Sequence, residues 1–356
     1  MKKLLKAILC VLLAVLVIAA GYVAYVFISY HRIGDQALSV EGNGTQEAET
    51  GAEYTLMSWN IGFGAYEADY GFFMDGGTQS WAWSKERMTT NLMTIASLLA
   101  EAQADFYLLQ EVDIGSTRTY HMDERLWFNT ELGDEARASV FAQNYDSPFL
   151  FYPITQPHGA SKSGLMTFSA CGIASAERRE LPVEDSLMKI VDLDRCYSVC
   201  RVPVKGGREL ALYNRHLSAY TSDGTVATEQ LRLLLEDMRR EYEAGNWCVA
   251  GGDFNKDLLG DSSAYFTAAD QSYNWGQPIP EGMFDGTGLM LVAPLDEENP
   301  VPSCRNADGP YHEGQYVLTV DGFIVSENVK VLQSFVYDTG FAYSDHNPVT
   351  LEFSLQ

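Results

Sequence analysis

The sequence of 356 residues lacks cysteine pairs of the metal-binding kind. Its six cysteines include no Cys-x-x-Cys pair, and Cys10 lies in an apolar N-terminal segment. The other five are an odd number without metal-ligand spacing, which disfavours a structural zinc site. Cys196 and Cys200 are close in sequence, but in a strand they would share one face and lie too far apart to bridge. We therefore expect buried free thiols.

Positive charge is also scarce. The chain has 24 Lys and Arg against 48 Asp and Glu, a formal net charge of -24 at pH 7. An acidic surface repels phosphate backbones, so this composition disfavours tight non-specific binding of nucleic acid. It does not exclude a nuclease, because a bound cation creates local attraction on an acidic protein.

Charge is absent from residues 7–30, which follow Lys2, Lys3 and Lys6. As a helix this run is roughly 36 Å long, enough to cross a bilayer. Basic residues favour the cytoplasmic side, so we predict a single-pass anchor in the cell membrane with the rest of the chain extracytoplasmic. A cleaved signal peptide is the alternative, although its apolar core is usually shorter.

The composition divides the chain into three segments. Residues 1–30 are the predicted cytoplasmic tip and transmembrane anchor, and the polar residues 31–52 are a predicted flexible linker. Residues 53–356 contain no internal repeat, no low-complexity tract and no linker rich in Pro or Gly. One large folded domain is the simplest interpretation of this third segment.

Short apolar runs alternate with helical patterns along this domain. Strands are predicted over residues 54–59, 105–109, 210–213, 247–250, 317–325 and 350–355. One amphipathic helix is predicted after Ser84 as its N-cap, and a second carries the apolar stripe of residues 231–242. Polar residues recur at the ends of these strands, where layered α/β proteins place active sites.

Two of the polar turns carry the strongest chemical signal. Residues 251–255 read Gly-Gly-Asp-Phe-Asn, and residues 344–348 read Ser-Asp-His-Asn-Pro. Each turn places a carboxylate beside a second polar group. Hydrolysis of a phosphoester needs a base that deprotonates water, and carboxylates that hold a charge-offsetting metal. The two turns lie far apart in sequence, so a shared site requires a fold that brings them together.

The candidate site residues, in chain order, are Asn60, Glu111, His216, Asp253, Asn255, Asp321, Asp345 and His346. Their contexts are Ser58-Trp59-Asn60, Leu109-Gln110-Glu111, Asn214-Arg215-His216-Leu217, Gly252-Asp253-Phe254-Asn255, Val320-Asp321 and Ser344-Asp345-His346. This order resembles the endonuclease/exonuclease/phosphatase superfamily of deoxyribonuclease-I-like phosphoesterases, over about residues 54–355. Each motif is weak alone, but six in the family's order are specific. The resemblance implies an α/β fold, a four-layer sandwich of two packed mixed β-sheets flanked by helices.

The resemblance also implies a metal site and a base. Glu111 would be the main ligand of Mg²⁺, with Mn²⁺ as the alternative metal. Asn60 would be a further ligand or a hydrogen-bonding partner, and Asp345 would support the metal or its waters. His346 would accept a proton from the attacking water, and Asp321 would fix the tautomer of that imidazole.

The remaining roles concern the nucleophile and the phosphate. The resemblance implies that Asp253 positions the nucleophile, and that Asn255 and His216 donate hydrogen bonds to phosphate oxygens. His216 is also a candidate to protonate the leaving group. Arg215 stands where relatives often have Thr or a similar small residue, and we treat it as a candidate for substrate binding. Further candidates for phosphate contact, without motif support, are Arg118, Lys162, Arg195 and Tyr197.

These observations predict a membrane-anchored, Mg²⁺-dependent phosphoesterase, expected to be a monomer, with a nucleic acid, a phospholipid or a small phosphodiester as substrate. A sphingomyelinase-like lipid phosphodiesterase and a nuclease are the specific alternatives, and the acidic balance weighs against the nuclease. No cluster of Lys and Arg supports an inositol-phosphate enzyme. A non-catalytic binding module on the same fold predicts loss of Glu111, Asp253 or His346, and all three are present.

Overall fold

Two seven-stranded β-sheets form the centre of the protein in the computed structural model, whose described residues are 1–44, 47–133, 137–184, 189, 194–219, 224–266 and 275–356. The first sheet contains, from edge to edge, β1 (Gln36–Leu38), β7 (Ser175–Glu180), β8 (Cys196–Val204), β9 (Arg208–His216), β10 (Trp247–Asp253), β14 (Asp321–Ser326) and β11 (Leu289–Val292). The second contains β15 (Val329–Val336), β16 (Val349–Leu355), β3 (Glu53–Asn60), β4 (Phe106–Asp113), β6 (Gly159–Ser169), β5 (Ala138–Leu150) and β2 (Val40–Gly42). A short ribbon pairs β12 (Cys304–Arg305) with β13 (Val317–Leu318).

Both sheets are mixed, and their parallel pairs locate the site. Strands β3 and β4 run parallel, as do β9 and β10, while the other pairs are antiparallel. The carboxyl ends of parallel neighbours meet at one edge of a sheet. That edge carries the last residues of β3, β9 and β10, which are Asn60, His216 and Asp253.

The α-helices of the described part of the chain are α1 (Lys2–Ser29), α2 (Lys85–Ala102), α3 (Glu124–Glu131) and α4 (Thr225–Glu243). Helices α2 and α3 pack on the outer face of the second sheet and α4 on that of the first. The apolar stripe of α2 packs on the second sheet, where Leu92 and Leu99 join one core with Trp59. Leu231 and Leu234 of α4 pack on the outer face of the first sheet. The predicted four-layer α/β sandwich is confirmed.

Apolar residues of alternating strand positions fill the space between the two sheets. This inner core contains Leu56, Leu108, Leu212, Val249, Phe323 and Leu351, all fully buried. Burying such a side chain contributes roughly 1.5–3 kcal/mol each. A polar bridge also crosses the gap, because Gln110 Nε2 donates to Asn214 Oδ1 at 2.8 Å. These contacts fix the spacing of the two sheets beside the site.

The helix predicted after Ser84 forms as expected. Ser84 Oγ accepts from the backbone N–H of Arg87 at 3.1 Å, which satisfies one of the free donors of the first turn. The helix ends at Gln103, whose φ of 49° is left-handed. The helix predicted over residues 231–242 also forms, as the greater part of α4.

The segment predicted as a flexible linker is partly paired with the domain. Strand β1 adds to the edge of the first sheet beside β7, and β2 adds to the edge of the second beside β5. Ala48 donates its N–H to Pro203 O at 2.8 Å and is fully buried. Open sheet edges offer unpaired backbone groups, and this segment satisfies them, which an isolated polar composition does not reveal.

Of two further expectations, one differs from the structure and one agrees with it. The strand predicted over residues 317–325 is two strands, β13 and β14, because Ser303 Oγ accepts from the N–H groups of Val320 and Asp321 and interrupts the ladder. The prediction of free thiols agrees with the structure: all six cysteines lie in the described residues and are unbridged, and only Cys10 is exposed. Helix α1 is long and apolar enough to cross a membrane, with a mean hydropathy of 2.8 in its most apolar window.

Candidate active site

A cavity of about 280 Å³ opens at the edge where the parallel strands end. Seven of the eight motif residues line it: Asn60, Glu111, His216, Asp253, Asn255, Asp345 and His346. The eighth, Asp321, lies behind His346 and contacts it directly. The fold therefore brings the two distant polar turns into one site, as the sequence required.

Asn60 connects the members of this site. Its Nδ2 lies 3.2 Å from Glu111 Oε1, 3.2 Å from Asp253 Oδ2 and 3.5 Å from His346 Nε2. Its Oδ1 accepts from the N–H of Gly62 at 3.1 Å, which fixes the orientation of the amide. The last residue of β3 is thus a donor shared by carboxylates from two sheets.

Glu111 reaches the cavity because β4 is irregular at this point. The register of β4 against β6 shifts between Leu109 and Val112, and Glu111 has a φ of 58°. A left-handed φ is unusual for a residue with a side chain and costs about 1–3 kcal/mol. A bulge re-aims a side chain in this way, so the strain directs the carboxylate into the cavity.

Asp253 is held by a tight turn after β10. Its Oδ1 accepts from the N–H of Asn255 at 2.8 Å, and its Oδ2 lies 3.4 Å from His216 Nε2. Gly252 before it has a φ of 133°, and a Cβ there would lie 2.0 Å from Arg215 O. Only glycine fits this position. Burial raises the pKa of Asp253 to about 6, with Asp321 adding to the shift and His346 opposing it.

His346 and Asp321 form a buried pair. His346 Nδ1 lies 2.8 Å from Asp321 Oδ2, which also accepts from Ser303 Oγ at 2.8 Å. His346 Nε2 is left facing the cavity, 3.8 Å from Asp253 Oδ2. Burial lowers the pKa of His346, but the charges of Asp321 and other acidic neighbours outweigh it and raise that pKa well above its ordinary value. By accepting from Nδ1, the carboxylate of Asp321 favours the tautomer in which Nδ1 carries the proton and Nε2 faces the cavity.

The turn that carries His346 is fastened to the end of β3. Trp59 Nε1 donates to His346 O at 2.8 Å, and Ser344 Oγ donates to Asn60 O at 2.7 Å. Both bonds are buried. They explain how residues nearly 290 positions apart in sequence keep one geometry.

The pKa of His216 is shifted in the opposite direction from that of His346. Burial lowers its pKa well below the ordinary value, and the positive charges of Arg195, His346 and Arg215 lower it further. His216 is therefore neutral at pH 7 and offers one N–H donor to the cavity. Asn255 is fixed by its own Nδ2, which donates to Leu217 O at 2.8 Å.

Glu111 and Asp345 offer hard oxygen ligands to a cation. Burial raises the pKa of Asp345 to about 6, His346 opposes this shift, and the negative charge of Glu111 adds to it. Two carboxylates that repel each other at one cavity wall would be relieved by a divalent cation. Oxygen ligands that leave room for waters suit Mg²⁺ and Mn²⁺. The donor set therefore fits such an ion.

A second grouping of possible metal ligands comprises Asp253, Asp321 and His346, whose ligand atoms lie within 4.8 Å of one another. In this grouping Asp321 is already hydrogen-bonded to His346 and to Ser303. A metal there would have to displace the bond that orients the imidazole. Binding of a metal at Glu111 and Asp345 would leave that bond intact.

Arg215 does not reach the cavity. It alternates with His216 along β9, so its side chain points to the other face of the sheet, where it is fully buried over the ring of Phe254. Its Nη2 donates to Gly322 O at 3.4 Å. The expectation that Arg215 binds substrate is wrong for this geometry, because strand alternation places only every second residue on the site's face.

The other candidates for phosphate contact differ in their distance from the cavity. Arg195 lines the cavity beside His216. Arg118 lines a smaller adjoining cavity of about 60 Å³, where it binds Asp113 through two bonds of 2.8 Å. Lys162 is exposed and pairs with Asp146, and Tyr197 donates to Asp237 away from the site.

Several residues of the cavity wall lie outside the sequence motifs. Tyr66 and Met74 come from the loop between β3 and α2, which is rich in aromatic residues, and Trp275 and Asn306 come from segments without a motif. Arg305 positions this wall, since its guanidinium donates to the carbonyls of Glu67, Tyr70, Asn306 and Gly309. Only the density of aromatic residues between β3 and α2 could have indicated a structured loop.

Comparison with known proteins gives one family and one fold. The model of the Endonuclease/Exonuclease/phosphatase family matches residues 57–346. The comparison with curated protein sequences found no significant match. A solved endonuclease/exonuclease/phosphatase from Beutenbergia cavernae is 17% identical, with a TM-score of 0.56, over 85% of this chain and 72% of that one.

Two further solved structures share the fold. The human Nocturnin catalytic domain with bound sulfate is 15% identical, with a TM-score of 0.53, over 90% of this chain and 98% of that one. ANGEL2, described as a 2',3'-cyclic phosphatase, is 17% identical, with a TM-score of 0.55, over 89% of this chain and 98% of that one.

Proposed function

The chain belongs to the endonuclease/exonuclease/phosphatase family and is a phosphoric ester hydrolase, and from this premise we propose that it is a membrane-anchored, Mg²⁺-dependent phosphodiesterase. The observation that carries the chemistry is the His346–Asp321 pair at 2.8 Å, with His346 Nε2 facing a cavity whose wall contains Glu111. A base, its orienting carboxylate and a hard-ligand wall are the parts that water attack on a phosphoester requires.

In this proposal His346 deprotonates the attacking water. Asp321 holds the Nδ1 proton, so the free lone pair of Nε2 points into the cavity once the imidazole is neutral. Asp253 lies 3.8 Å from the same Nε2 and, when ionised, accepts a hydrogen bond that aligns the water for attack. The proton taken from the water remains on His346, where Asp321 stabilises the imidazolium.

Two donors line the place where phosphate oxygens would lie. Neutral His216 and Asn255 face the cavity, and Arg195 adds a positive charge beside His216. Fixed donors stabilise the charge that develops in the transition state. The low pKa of His216 suits it to donate a hydrogen bond rather than to deliver a proton, so we assign it the phosphate and not the leaving group.

Glu111 and Asp345 would hold the Mg²⁺ ion, with Asn60 beside them. When bound, the metal would offset phosphate charge and lower the pKa of a bound water. The 3.2 Å bond from Asn60 Nδ2 to Glu111 Oε1 orients the carboxylate of Glu111. Mn²⁺ prefers similar ligands and would substitute.

Helix α1 supports the anchoring part of the proposal. The hydroxyl groups of Tyr22 and Tyr25 form hydrogen bonds with the backbone of β5 and of the residue after it, so the helix contacts the domain directly. The basic residues before it favour a cytoplasmic N-terminus, which places the domain outside the cytoplasm. These contacts favour a retained anchor over a cleaved signal peptide.

Hydrolysis assays on the detergent-purified full chain test the proposal. We expect Mg²⁺-dependent hydrolysis of bis-p-nitrophenyl phosphate, abolished by EDTA and restored by Mg²⁺ or Mn²⁺. His346→Ala should lower kcat about 10²–10⁴-fold, the usual contribution of a general base. His312→Ala, at an exposed histidine whose ring is described as bonding only Glu313 O, is the matched control and should retain activity. Equal activity of His346→Ala and wild type, or activity that survives EDTA, contradicts the proposal.

A further inference from the structure

An uncharged stretch, made of the end of β5, the loop after it and the start of β6, stands out in a chain that is otherwise strongly acidic. Residues 147–161 contain no Asp, Glu, Lys or Arg, although the whole chain carries a net charge of -24. The only histidine in this stretch is His158, and burial lowers its pKa to about 3, so it is neutral. The loop exposes three large side chains: Phe151 is 59% exposed, Tyr152 69% and Ile154 87%.

The position of this loop links it to helix α1. Tyr22 Oη accepts from the N–H of Phe151 at 3.0 Å and donates to Phe149 O at 3.2 Å. Tyr25 Oη accepts from the N–H of Phe149 at 3.2 Å. The rings of Tyr22 and Phe151 meet edge to face at 5.3 Å. The loop is therefore bonded to one level of the helix.

If α1 spans the membrane as proposed, that level of the helix is at the outer boundary of the bilayer. A span needs about 20 residues for a hydrocarbon core of about 30 Å, and the uncharged run begins at Ala7 just after Lys6. Twenty residues from Ala7 end at Val26, so Tyr22 and Tyr25 lie in the last two turns of the span. Tyrosine is enriched at this interface because its ring is apolar and its hydroxyl is polar.

The loop also continues into the wall of the active-site cavity. Trp81 Nε1 donates to Pro157 O at 2.8 Å, and the rings of Phe73 and Tyr152 lie 5.8 Å apart. Phe73 is followed directly by Met74 and Asp75, which line the cavity. The exposed apolar side chains and the rim of the cavity thus belong to one packed unit.

We propose that Phe151, Tyr152 and Ile154 insert into the outer interface of the bilayer that α1 spans, and hold the cavity rim at Met74 and Asp75 against the lipid headgroups. The occupant of this surface is a lipid bilayer, because the loop is bonded to the end of a membrane-spanning helix and carries no charge to oppose burial. The inference rests on the proposed anchoring by α1. It favours phosphoesters carried by lipids as the substrate class for the proposed activity.

Site-directed spin labelling of the full chain in phosphatidylcholine liposomes tests the depth of the loop. A nitroxide is attached at Ile154→Cys in a Cys10→Ser background, since the other five cysteines are buried. We expect high accessibility to dissolved oxygen and low accessibility to a water-soluble nickel complex. Leu332→Cys is the matched control: it is a 37% exposed leucine on β15, at the opposite side of the same sheet from β5. It should show the reverse pattern.

Two outcomes overturn the inference. A label at Ile154 that meets the nickel complex as freely as the label at Leu332 places the loop in water. A label shielded from both oxygen and nickel places it against protein, such as a second copy of the chain.

The position of the rim is tested with nickel chelated to lipid headgroups. A label at Thr78→Cys, an exposed position near Met74, should relax faster than the label at Leu332, and equal relaxation places the rim away from the membrane. Neither measurement uses a substrate. Failure of the hydrolysis assays would thus refute the proposed activity while leaving the membrane contact standing, and the reverse also holds.

Discussion

At the scale of single residues, the pair formed by His346 and Asp321 sets the pH dependence. The charge of Asp321, 2.8 Å from Nδ1, is the largest of the effects that raise the pKa of His346 above its ordinary value. Catalysis needs the neutral imidazole, so the rate should rise as pH increases through that pKa. A shift of one pKa unit corresponds to about 1.4 kcal/mol of difference between the interactions of the protonated and the neutral imidazole.

Asp321→Asn should therefore change the pH profile as well as the rate. The amide removes the charge, so the pKa of His346 falls and the acid limb of the kcat profile moves to lower pH. The rate at its plateau should fall by roughly 10²–10⁴-fold, because the imidazole loses its fixed tautomer and its stabilising charge. Asp285→Asn, at an exposed position, should leave both unchanged. An unshifted acid limb in Asp321→Asn would show that another group controls it.

Gly252 carries a different, steric constraint. Gly252→Ala adds a Cβ 2.0 Å from Arg215 O at a φ of 133°, so the strand end must move and Asp253 with it. We expect a loss of more than about 1–3 kcal/mol in the free energy of unfolding, the range for strained backbone alone, together with loss of activity. Gly260→Ala also has a positive φ, 76°, but open space around it, and isolates the conformational cost. Denaturant unfolding of both variants measures the difference, and equal losses would contradict the steric argument.

At the scale of elements, the loop between β3 and α2 depends on Arg305. Its planar guanidinium bonds four carbonyls from two segments, a geometry that the point charge of lysine cannot reproduce. Arg305→Lys should leave buried carbonyls unpaired, loosen residues 66–75 and raise KM more than it lowers kcat. Hydrogen exchange of this segment checks the first effect. Arg208→Lys, which lies over the ring of Trp247 away from the cavity, is the control. Unchanged exchange in Arg305→Lys would refute this role.

The elements also show what sequence could predict. Strands such as β3 and helices such as α2 follow from apolar period and a cap at Ser84, which are local signals. The pairing of residues 36–42 with two sheet edges is not local, since it depends on which edges the distant strands leave open. Likewise, alternation along β9 decides that His216 faces the cavity and Arg215 does not, and the phase of a strand relative to a site is fixed only by the folded sheet.

The site, too, has features that the sequence predicts and features that it does not. The motif residues named from the sequence meet at one cavity because the parallel strands end together. The left-handed backbone conformation of Glu111 and the position of the wall residues Trp275 and Asn306 have no sequence signal, since they depend on a bulge and on loop packing. The set of motif residues that meets in the cavity was thus predictable, and the backbone geometry of Glu111 and the positions of Trp275 and Asn306 were not.

At the scale of the whole molecule, the net charge of -24 controls how substrates approach. Long-range repulsion of a polyanion weakens as salt shortens the Debye length, from about 30 Å at 0.01 M to about 8 Å at 0.15 M. We expect kcat/KM for a single-stranded oligonucleotide to rise over this range at constant Mg²⁺. A nuclease with a basic groove shows the opposite trend, because salt weakens its phosphate contacts.

Bis-p-nitrophenyl phosphate, with one charge, should respond much less and serves as the reference substrate in the same titration. A fall of kcat/KM for the oligonucleotide with salt would reveal a local basic surface that outweighs the overall charge, and would favour a nuclease. A rise agrees with a molecule whose acidity excludes polyanions, while the uncharged loop at residues 147–161 leaves one face free to approach a bilayer. The distribution of charge, more than the catalytic residues, then separates a lipid phosphoesterase from a nuclease on this fold.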